Sequence, residues 1–390
     1  MIRHLFKLIW NQKRQNLGLL FEMLFSFMVL FAVFSFIMHN YHRYNQPTGF
    51  DHEAVWMATM HWPNDSLENV YNTQQRFRQQ LKTYPQIEHF SLTSSNMPYS
   101  GSMSTTSVTY QEKSVQPYVY NVDKAFKDVM NMPVIEGRWF NPGERSSEGA
   151  NIPIVINQTM REELFGTEKA IGSIIPFHDD RKLKVIGVVG NFKSQGEFSN
   201  KRAGMFFPEQ DDYAYSRIML KVKPNAKADF ESRLLKDLAQ ISKGWTIDIA
   251  YMQDMRKDTL SETLIPMAIF LIIGAFLIFN VALGLFGVLW QNISKRREEI
   301  GIRRAMGATR SEISWQFITE VILLTTLSLV IGIFFAIQFP LLSVFNVLPK
   351  VYIQGILLSV LFIYSLVFIC ALYPSRQAAQ LQPAMTLHEE

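Results

Sequence analysis

Residues 264–290 read LIPMAIFLIIGAFLIFNVALGLFGVLW, an apolar run without an ionisable side chain. Crossing the hydrocarbon layer as a helix takes about 20 apolar residues, so this run is long enough to span. Three further runs meet the same requirement: Leu17–Met38 with Glu22 as its one charge, Phe317–Gln338 with only Glu320, and Tyr352–Tyr373 with none. Four such segments in one chain of 390 residues are not expected of core helices, so all four read as spanning and the chain as a membrane protein with four transmembrane helices. The first run is not a removable leader. It is too long, and bulky His39-Asn40-Tyr41-His42 stands where a small-residue cleavage site belongs.

Orientation follows from where the cations lie. Arg3, Lys7, Lys13 and Arg14 precede the first run, and Lys295, Arg296, Arg297, Arg303, Arg304 and Arg310 separate the second from the third. The short connection Phe339–Val351 carries only Lys350. Placing both basic regions in the cytoplasm puts residues 39–263 outside and both termini inside. Residues 1–16 alternate apolar and basic side chains and read as an amphipathic helix on the inner membrane face, in contact with lipid. The second run exceeds what a bilayer needs, so part of it is expected to project as a stalk. The expected segments are 1–16 surface helix, 17–38 first span, 39–263 outer domain, 264–290 second span with stalk, 291–316 inner loop, 317–338 third span, 339–351 short outer loop, 352–373 fourth span and 374–390 inner tail.

The outer segment has the composition of a soluble protein and mixes both periodicities. Ala54–Met60, Val115–Val122, Pro153–Ile156, Leu183–Val189 and Arg217–Val222 read as strands, and Leu67–Leu81 and Lys227–Ile241 as helices. Ile174–Phe177 and Leu183–Val189, joined by His178-Asp179-Asp180-Arg181, read as a β-hairpin. The Ser-, Thr- and Met-rich stretch Ser91–Ser107 reads as a mobile loop. The fold class is therefore membrane α-helical, with a large α+β extracytoplasmic domain of one or two lobes.

Several chemistries find no support. The net charge is +4 and no basic stripe is interleaved with aromatics, so no nucleic-acid partner is expected. No G-x-x-x-x-G-K-[ST] loop occurs, and no nucleophile–base spacing marks a catalytic site. His39, His42, His52 and His61 with Asp51 and Glu53 fit no metal-ligand spacing and read as solvated loop residues, so no metal and no cofactor is assigned. The single cysteine, Cys370, lies in the fourth run and reads as a buried thiol. Asn157-Gln158-Thr159 matches a glycosylation sequon, a pattern common by chance. Glu22 and Glu320 are intramembrane carboxylates near the cytoplasmic ends of their spans, and structural or interfacial roles are weighed above a direct functional one. Four helices with so little polarity suit the transmission of motion better than conduction of a hydrophilic solute.

The most informative segment is ISKRREEIGIRRAMGATRSEI, residues 293–313. It carries more charge of both signs than orientation requires, and it breaks at Gly307. Two short helices, one continuing the second span and one opening the third, would present charged faces to a cytoplasmic partner.

This segment resembles the loop R-R-x-E-I-G-x-x-R-A-x-G-A of permeases in the MacB/FtsX/LolC-LolE group of ABC transporters, the mechanotransmission or type VII family. The ending Tyr373-Pro374-Ser375-Arg376-Gln377-Ala378-Ala379 with Gln382-Pro383-Ala384 is similar to the family's C-terminus. Weaker matches lie at Glu136–Phe140, Val155–Gln158, Leu164–Gly166 and Ile186–Phe192. The resemblance implies a non-catalytic permease with a MacB-like periplasmic core domain in a bacterial inner membrane. Its partners would be a cytoplasmic ABC ATP-binding subunit and a second permease, as homodimer or as heterodimer with a paralogue. A periplasmic adaptor or outer-membrane component is a further implied partner. Coupling to the ATPase would fall on Arg296, Arg297, Glu298, Glu299, Ile300, Gly301, Arg303, Arg304, Ala305, Met306 and Gly307. The ATPase is expected on a separate polypeptide. Export or extraction of a peptide, lipoprotein or hydrophobic compound is the implied function. An FtsX-like control of a cell-wall hydrolase is the alternative, and a membrane receptor with an external sensor domain is the alternative from another class.

Overall fold

The computed structural model describes residues 13–62, 65–94, 96–145, 151–178, 181–210, 214–226 and 228–379. The surface helix expected at 1–16 and the tail beyond Ala379 lie almost wholly outside these residues. The chain divides into two compact units, Arg43–Thr263 and a second made of Met1–His42 with Leu264–Glu390.

In the first unit, strands β1 (Val55–His61), β2 (Ile87–Thr93), β11 (Arg217–Val222) and β12 (Thr246–Tyr251) form an antiparallel sheet in the order β12-β1-β11-β2. Alternate residues of a strand point to opposite faces, and both faces of this sheet are buried. Trp56, Ala58, Met60, Ile218 and Leu220 meet Phe77 of α2 (Leu67–Leu81) and Phe230, Leu234 and Leu238 of α5 (Ala228–Ser242). Val55, Met57 and Met219, on the opposite face, join a second core with Tyr120, Val155, Val189 and Phe206. Helix α2 begins at Ser66, whose hydroxyl accepts from the Asn69 amide at 3.3 Å. Its Val70, Gln74, Phe77 and Leu81 fall on one buried stripe, the spacing that made this helix readable.

A six-stranded mixed sheet completes the unit. It contains β5 (Tyr118–Asn121), β6 (Val134–Gly137), β7 (Asn151–Asn157), β8 (Ile174–Pro176), β9 (Lys182–Val189) and β10 (Gly204–Phe207), in the order β5-β10-β7-β9-β6 with β8 on β9. A bulge shifts the β7–β9 register at Ile186, so Leu183, Val185 and Val188 face α4 (Gln158–Phe165) while Ile186 and Val189 face the shared core. Strands β3 (Val108–Tyr110) and β4 (Lys113–Val115) pair separately, and α3 (Phe126–Val129) packs into the shared core.

Two expectations change here. The strand expected over Val115–Val122 is two strands, because Pro117 has no amide to donate and interrupts the ladder. Ser91–Ser107 is not loop throughout: residues 91–93 belong to β2, Met97 is fully buried, and the Asn96 side chain is tied down by three hydrogen bonds. Its Nδ2 donates to the Ser104 and Val119 carbonyls at 2.6 and 2.9 Å, and its Oδ1 accepts from the Ser104 amide at 2.7 Å. Asn157, whose sequon reads as a chance match, has a structural role. It is 1% exposed, caps α4 through the Met160 amide, accepts from Gly204 and donates to the Arg202 carbonyl.

The second unit contains most of α1 (Lys13–Tyr44) and of α6 (Met252–Lys295), with α7 (Arg297–Ala305), α8 (Arg310–Ala336), α9 (Gln338–Leu341) and α10 (Pro349–Ala379). Among the described residues, four helices are long and apolar enough to cross a membrane: Leu17–Tyr44, Met252–Lys295, Arg310–Leu341 and Pro349–Gln377. Their mutual core brings Met23, Phe27 and Leu30 of α1 against Val281 and Leu285 of α6, Val321 and Leu324 of α8, and Ile363 and Val367 of α10. Close approach is possible because Gly332 faces Phe27 and Gly355 faces Ser35. Apolar side chains such as Ile269, Phe276, Phe334, Leu357 and Leu361 remain on the outside, as lipid-facing residues do.

Candidate functional site

The stretch between α6 and α8 folds as a corner set by local chemistry. Helix α6 stops at Lys295, and Arg296 leaves helical geometry with φ −110° and ψ 18°. Nine residues later α7 ends in a Schellman motif. The Gly307 amide donates to the Arg304 carbonyl at 3.1 Å and the Ala308 amide to the Arg303 carbonyl at 3.0 Å. That closure requires a left-handed residue, and Gly307 has φ +101°. Thr309 then opens α8 with a capping box: its hydroxyl accepts from the Glu312 amide, and Glu312 accepts from the Thr309 amide at 2.8 Å. Gly-Ala-Thr-Arg-Ser-Glu thus stops one helix and starts the next within a few residues.

The corner is held to α8 from inside. Ile293, Ile300, Ile313 and Phe317 form a small apolar cluster. Beside it the Arg296 guanidinium donates to both Glu320 oxygens, at 3.0 and 3.2 Å, with each side chain only 11% exposed. Ile313, Phe317 and Glu320 are spaced four and three apart, so one face of α8 supplies both the apolar and the ionic contact. Arg303 donates to Gln316 at 2.7 Å and also pairs with Glu299 one turn earlier. Arg304 donates to the Ala308 carbonyl at 3.1 Å, across the turn.

The residues singled out from sequence therefore divide. Arg296, Ile300 and Gly301 face inward, and Arg303 and Arg304 are half-buried in polar contacts. Glu299, Ala305, Met306 and Gly307 are exposed, with Met306 at 75%. Ile302 is exposed as well, so α7 ends in an apolar tip. The side chains of Arg297 and Glu298 lie outside the described ones. Sequence reasoning passed over Gln316 and the pairing of Glu320 with Arg296. A carboxylate in α8 one turn beyond Phe317 was the available signal for the latter.

Glu22 has a different setting. Its carboxylate lies against Gly284 of α6, so close that a side-chain carbon there would stand 2.1 Å from Oε1. Among the described residues no three His, Cys, Asp or Glu side chains gather as metal ligands would. His42 is instead paired with Gln354 at 2.8 Å.

Comparison with known proteins agrees with this architecture. Residues 25–236 match the model of the MacB-like periplasmic core domain, and residues 271–383 match that of the FtsX-like permease C-terminal region. The macrolide export ATP-binding/permease protein MacB of Pasteurella multocida (strain Pm70) is 25% identical over 297 residues, covering 72% of this chain and 44% of that protein. The uncharacterized ABC transporter permease YvrN of Bacillus subtilis (strain 168) is 26% identical over 301 residues, 70% of each chain. The crystal structure of the periplasmic region of MacB from Actinobacillus actinomycetemcomitans superposes with a TM-score of 0.40 and 15% identity, over 54% of this chain and 94% of that one. The chain thus spans less than half the length of the MacB relative. The periplasmic-core model alone covers more than half of the 390 residues. The chain belongs to the MacB/FtsX family of ABC transporter permeases.

Proposed function

We propose that this permease transmits ATP-driven motion from a cytoplasmic ATP-binding subunit to its α+β domain on the other side of the membrane. Both termini and the α7 corner lie in the cytoplasm in this reading, because the basic residues concentrate there. The observation that carries it is the corner itself. An exposed apolar tip, Ile302 with Met306, sits on a short helix whose inner face is fastened to α8 by the Arg296–Glu320 pair and the Ile300 cluster. A force applied at the tip would reach α8 and α6 without being lost in a flexible loop. Glu299, Ile302, Ala305 and Met306 would meet the ATPase, while Arg296, Ile300, Arg303 and Arg304 would hold the corner's shape. Arg297, Glu298, Gly301 and Gly307 complete the proposed coupling region.

Helix α6 has 44 residues, a contour of about 66 Å against a hydrocarbon layer of about 30 Å. Its length suits a lever that extends past the membrane. The apolar outer faces of the spans suit lipid and a second permease, either a copy of this chain or a paralogue. A stroke delivered to an outer domain fits a cargo already outside the membrane, a peptide, lipoprotein or hydrophobic compound, passed on with a periplasmic adaptor or outer-membrane component.

Affinity purification from mild detergent tests the proposal. The wild-type chain is expected to retain an ABC ATPase, and Met306→Glu, at an exposed position, is expected to lose it while still inserting. Reversing Arg303 and Arg304 to Glu should uncouple ATP hydrolysis from function. Recovery of no ATPase with the wild type, or full retention by Met306→Glu, contradicts the reading.

A further inference from the structure

We propose that the loop Asn191–Phe198 is a mechanical joint that fastens the end of α1 and the start of α6 to each other and to the core of the α+β domain. This rests on the transmission reading above, since a stroke carried by two helices needs one point at which both grip the domain. The helix ends concerned, Arg43–Tyr44 and Met252–Thr263, belong to the same compact unit as the loop.

Lys193 makes the first attachment. Its side chain is 1% exposed and its Nζ donates to the Arg43 carbonyl at 2.9 Å and to the Glu197 carbonyl. Arg43 lies in the last turn of α1, at the negative end of the helix dipole, and its carbonyl accepts from the Gln46 amide at 3.1 Å as well as from Lys193. A buried ammonium there both caps and holds the helix. The Lys193 amide adds a bond to the Thr48 carbonyl at 2.8 Å, and the Phe198 ring packs on Tyr44 with centroids 5.5 Å apart.

Glu197 makes the second attachment. Its carboxylate, 8% exposed, pairs with Nε of Arg256, just past the first turn of α6. The third attachment runs into the core. Phe192 packs on Phe50 and Tyr120 at 5.0 and 5.1 Å, Ser194 Oγ lies 3.0 Å from the Tyr120 hydroxyl, and the Ser194 carbonyl accepts from the Tyr99 amide at 2.8 Å. Met252, the first residue of α6, is buried in that same cluster.

The chemistry is unusual for a place that stability alone would fill with apolar side chains. Desolvating an ammonium and a carboxylate is costly, and the carbonyls around Lys193 and the Arg256 partner of Glu197 recover only part of that cost. Burial pulls the Lys193 ammonium down to about 8. What the charges add is direction, because each ties one loop atom to one helix terminus. Ile186–Phe192 is a family match without a role of its own, and the joint begins at the end of that match.

The test is hydrogen exchange read by mass spectrometry on the full chain with its ATPase in lipid nanodiscs, for wild type, Lys193→Met and Glu197→Gln. Loss of a buried charge-assisted bond should raise local opening on the order of tenfold or more. Lys193→Met should show this in residues 43–49 and Glu197→Gln in residues 252–260, while β7 and β9 keep wild-type protection. Glu197→Gln preserves shape and serves if the methionine variant folds poorly. Faster exchange confined to residues 191–198, or lost evenly across the whole domain, overturns the joint. In a second arm, trapping with magnesium ATP and vanadate should alter exchange in the wild-type domain and do so by less than about half as much in the variants. A wild type that shows no nucleotide response defeats the transmission reading, while the first arm still decides the joint.

Discussion

The Arg296–Glu320 pair offers a direct test of how the corner is held. Glu320→Gln removes the anion and keeps one acceptor where two carboxylate oxygens had accepted from Arg296 at 3.0 and 3.2 Å, leaving a guanidinium 11% exposed without its counter-charge from Glu320. Removing one partner of a buried ion pair typically costs about 3–5 kcal/mol, because the survivor stays desolvated. Taking about 3 kcal/mol, opening of the corner should become roughly 100-fold more frequent. Limited trypsin digestion in detergent reads this opening, since cleavage after Arg303 and Arg304 follows the population of the opened form when closing is fast. Cleavage there should accelerate by about two orders of magnitude in Glu320→Gln. The double variant Arg296→Leu with Glu320→Leu should regain most of the protection, because no buried charge is orphaned. Wild-type cleavage in Glu320→Gln, or a double variant no better than the single one, would refute the reasoning.

Asn157→Ala should destabilise the α+β domain by about 2–4 kcal/mol, read by denaturant unfolding, since it removes a helix cap and strands the Gly204 amide and Arg202 carbonyl. Unchanged stability would remove the role assigned to this residue. Gly355→Ala places a carbon 3.1 Å from the Ser35 backbone nitrogen and 2.2 Å from its Oγ, so α1 and α10 must separate, at about 1–3 kcal/mol. Gly287→Ala meets nothing within 4 Å and should leave the melting temperature in detergent unchanged or slightly raised; equal effects of the two would contradict the packing account. For Lys193, the folded value of about 8 lies below the ordinary 10.5, so between these the unfolded chain holds more protons and stability from this group rises with pH. The melting temperature of wild type relative to Lys193→Met should therefore increase as pH climbs through that window; a decrease would show that burial does not penalise the charged form.

How much was legible depended on whether the signal was local. Leu67–Leu81 and Arg217–Val222 coincide with their elements because a one-sided stripe and a β-branched run report burial directly. The hairpin of β8 on β9 was likewise marked by its polar turn, and Phe177 closes it through the Arg181 carbonyl at 2.8 Å. Gly204–Phe207 escaped because all four residues are buried, so no alternation marks a strand. Thr246–Tyr251 does alternate, with Ile247, Ile249 and Tyr251 packed on the helix-covered core, and it was open to reading.

The candidate site shows the same division. The Gly307 turn and the Thr309 capping box are written in adjacent letters. The pairing of Arg296 with Glu320 spans 24 positions and exists only once α7 folds back on α8. Asn96 and Met97 lay within a stretch whose serines and threonines suggested a loop, yet one is bonded and the other fills the core. Lys193 and Glu197 carry no motif of their own, because any charged residue near a glycine reads as surface until the helix ends it contacts are in place.

Distance measurement tests the central claim most directly. Spin labels at the exposed positions Glu112 and Arg310, in a chain carrying Cys370→Ser and reconstituted with the proposed ATPase in nanodiscs, report on the α+β domain and the corner of the helical unit. The account predicts that trapping with magnesium ATP and vanadate shifts the distance distribution, and that Met306→Glu abolishes the shift. Identical distributions with and without nucleotide, while the ATPase turns over, would contradict it.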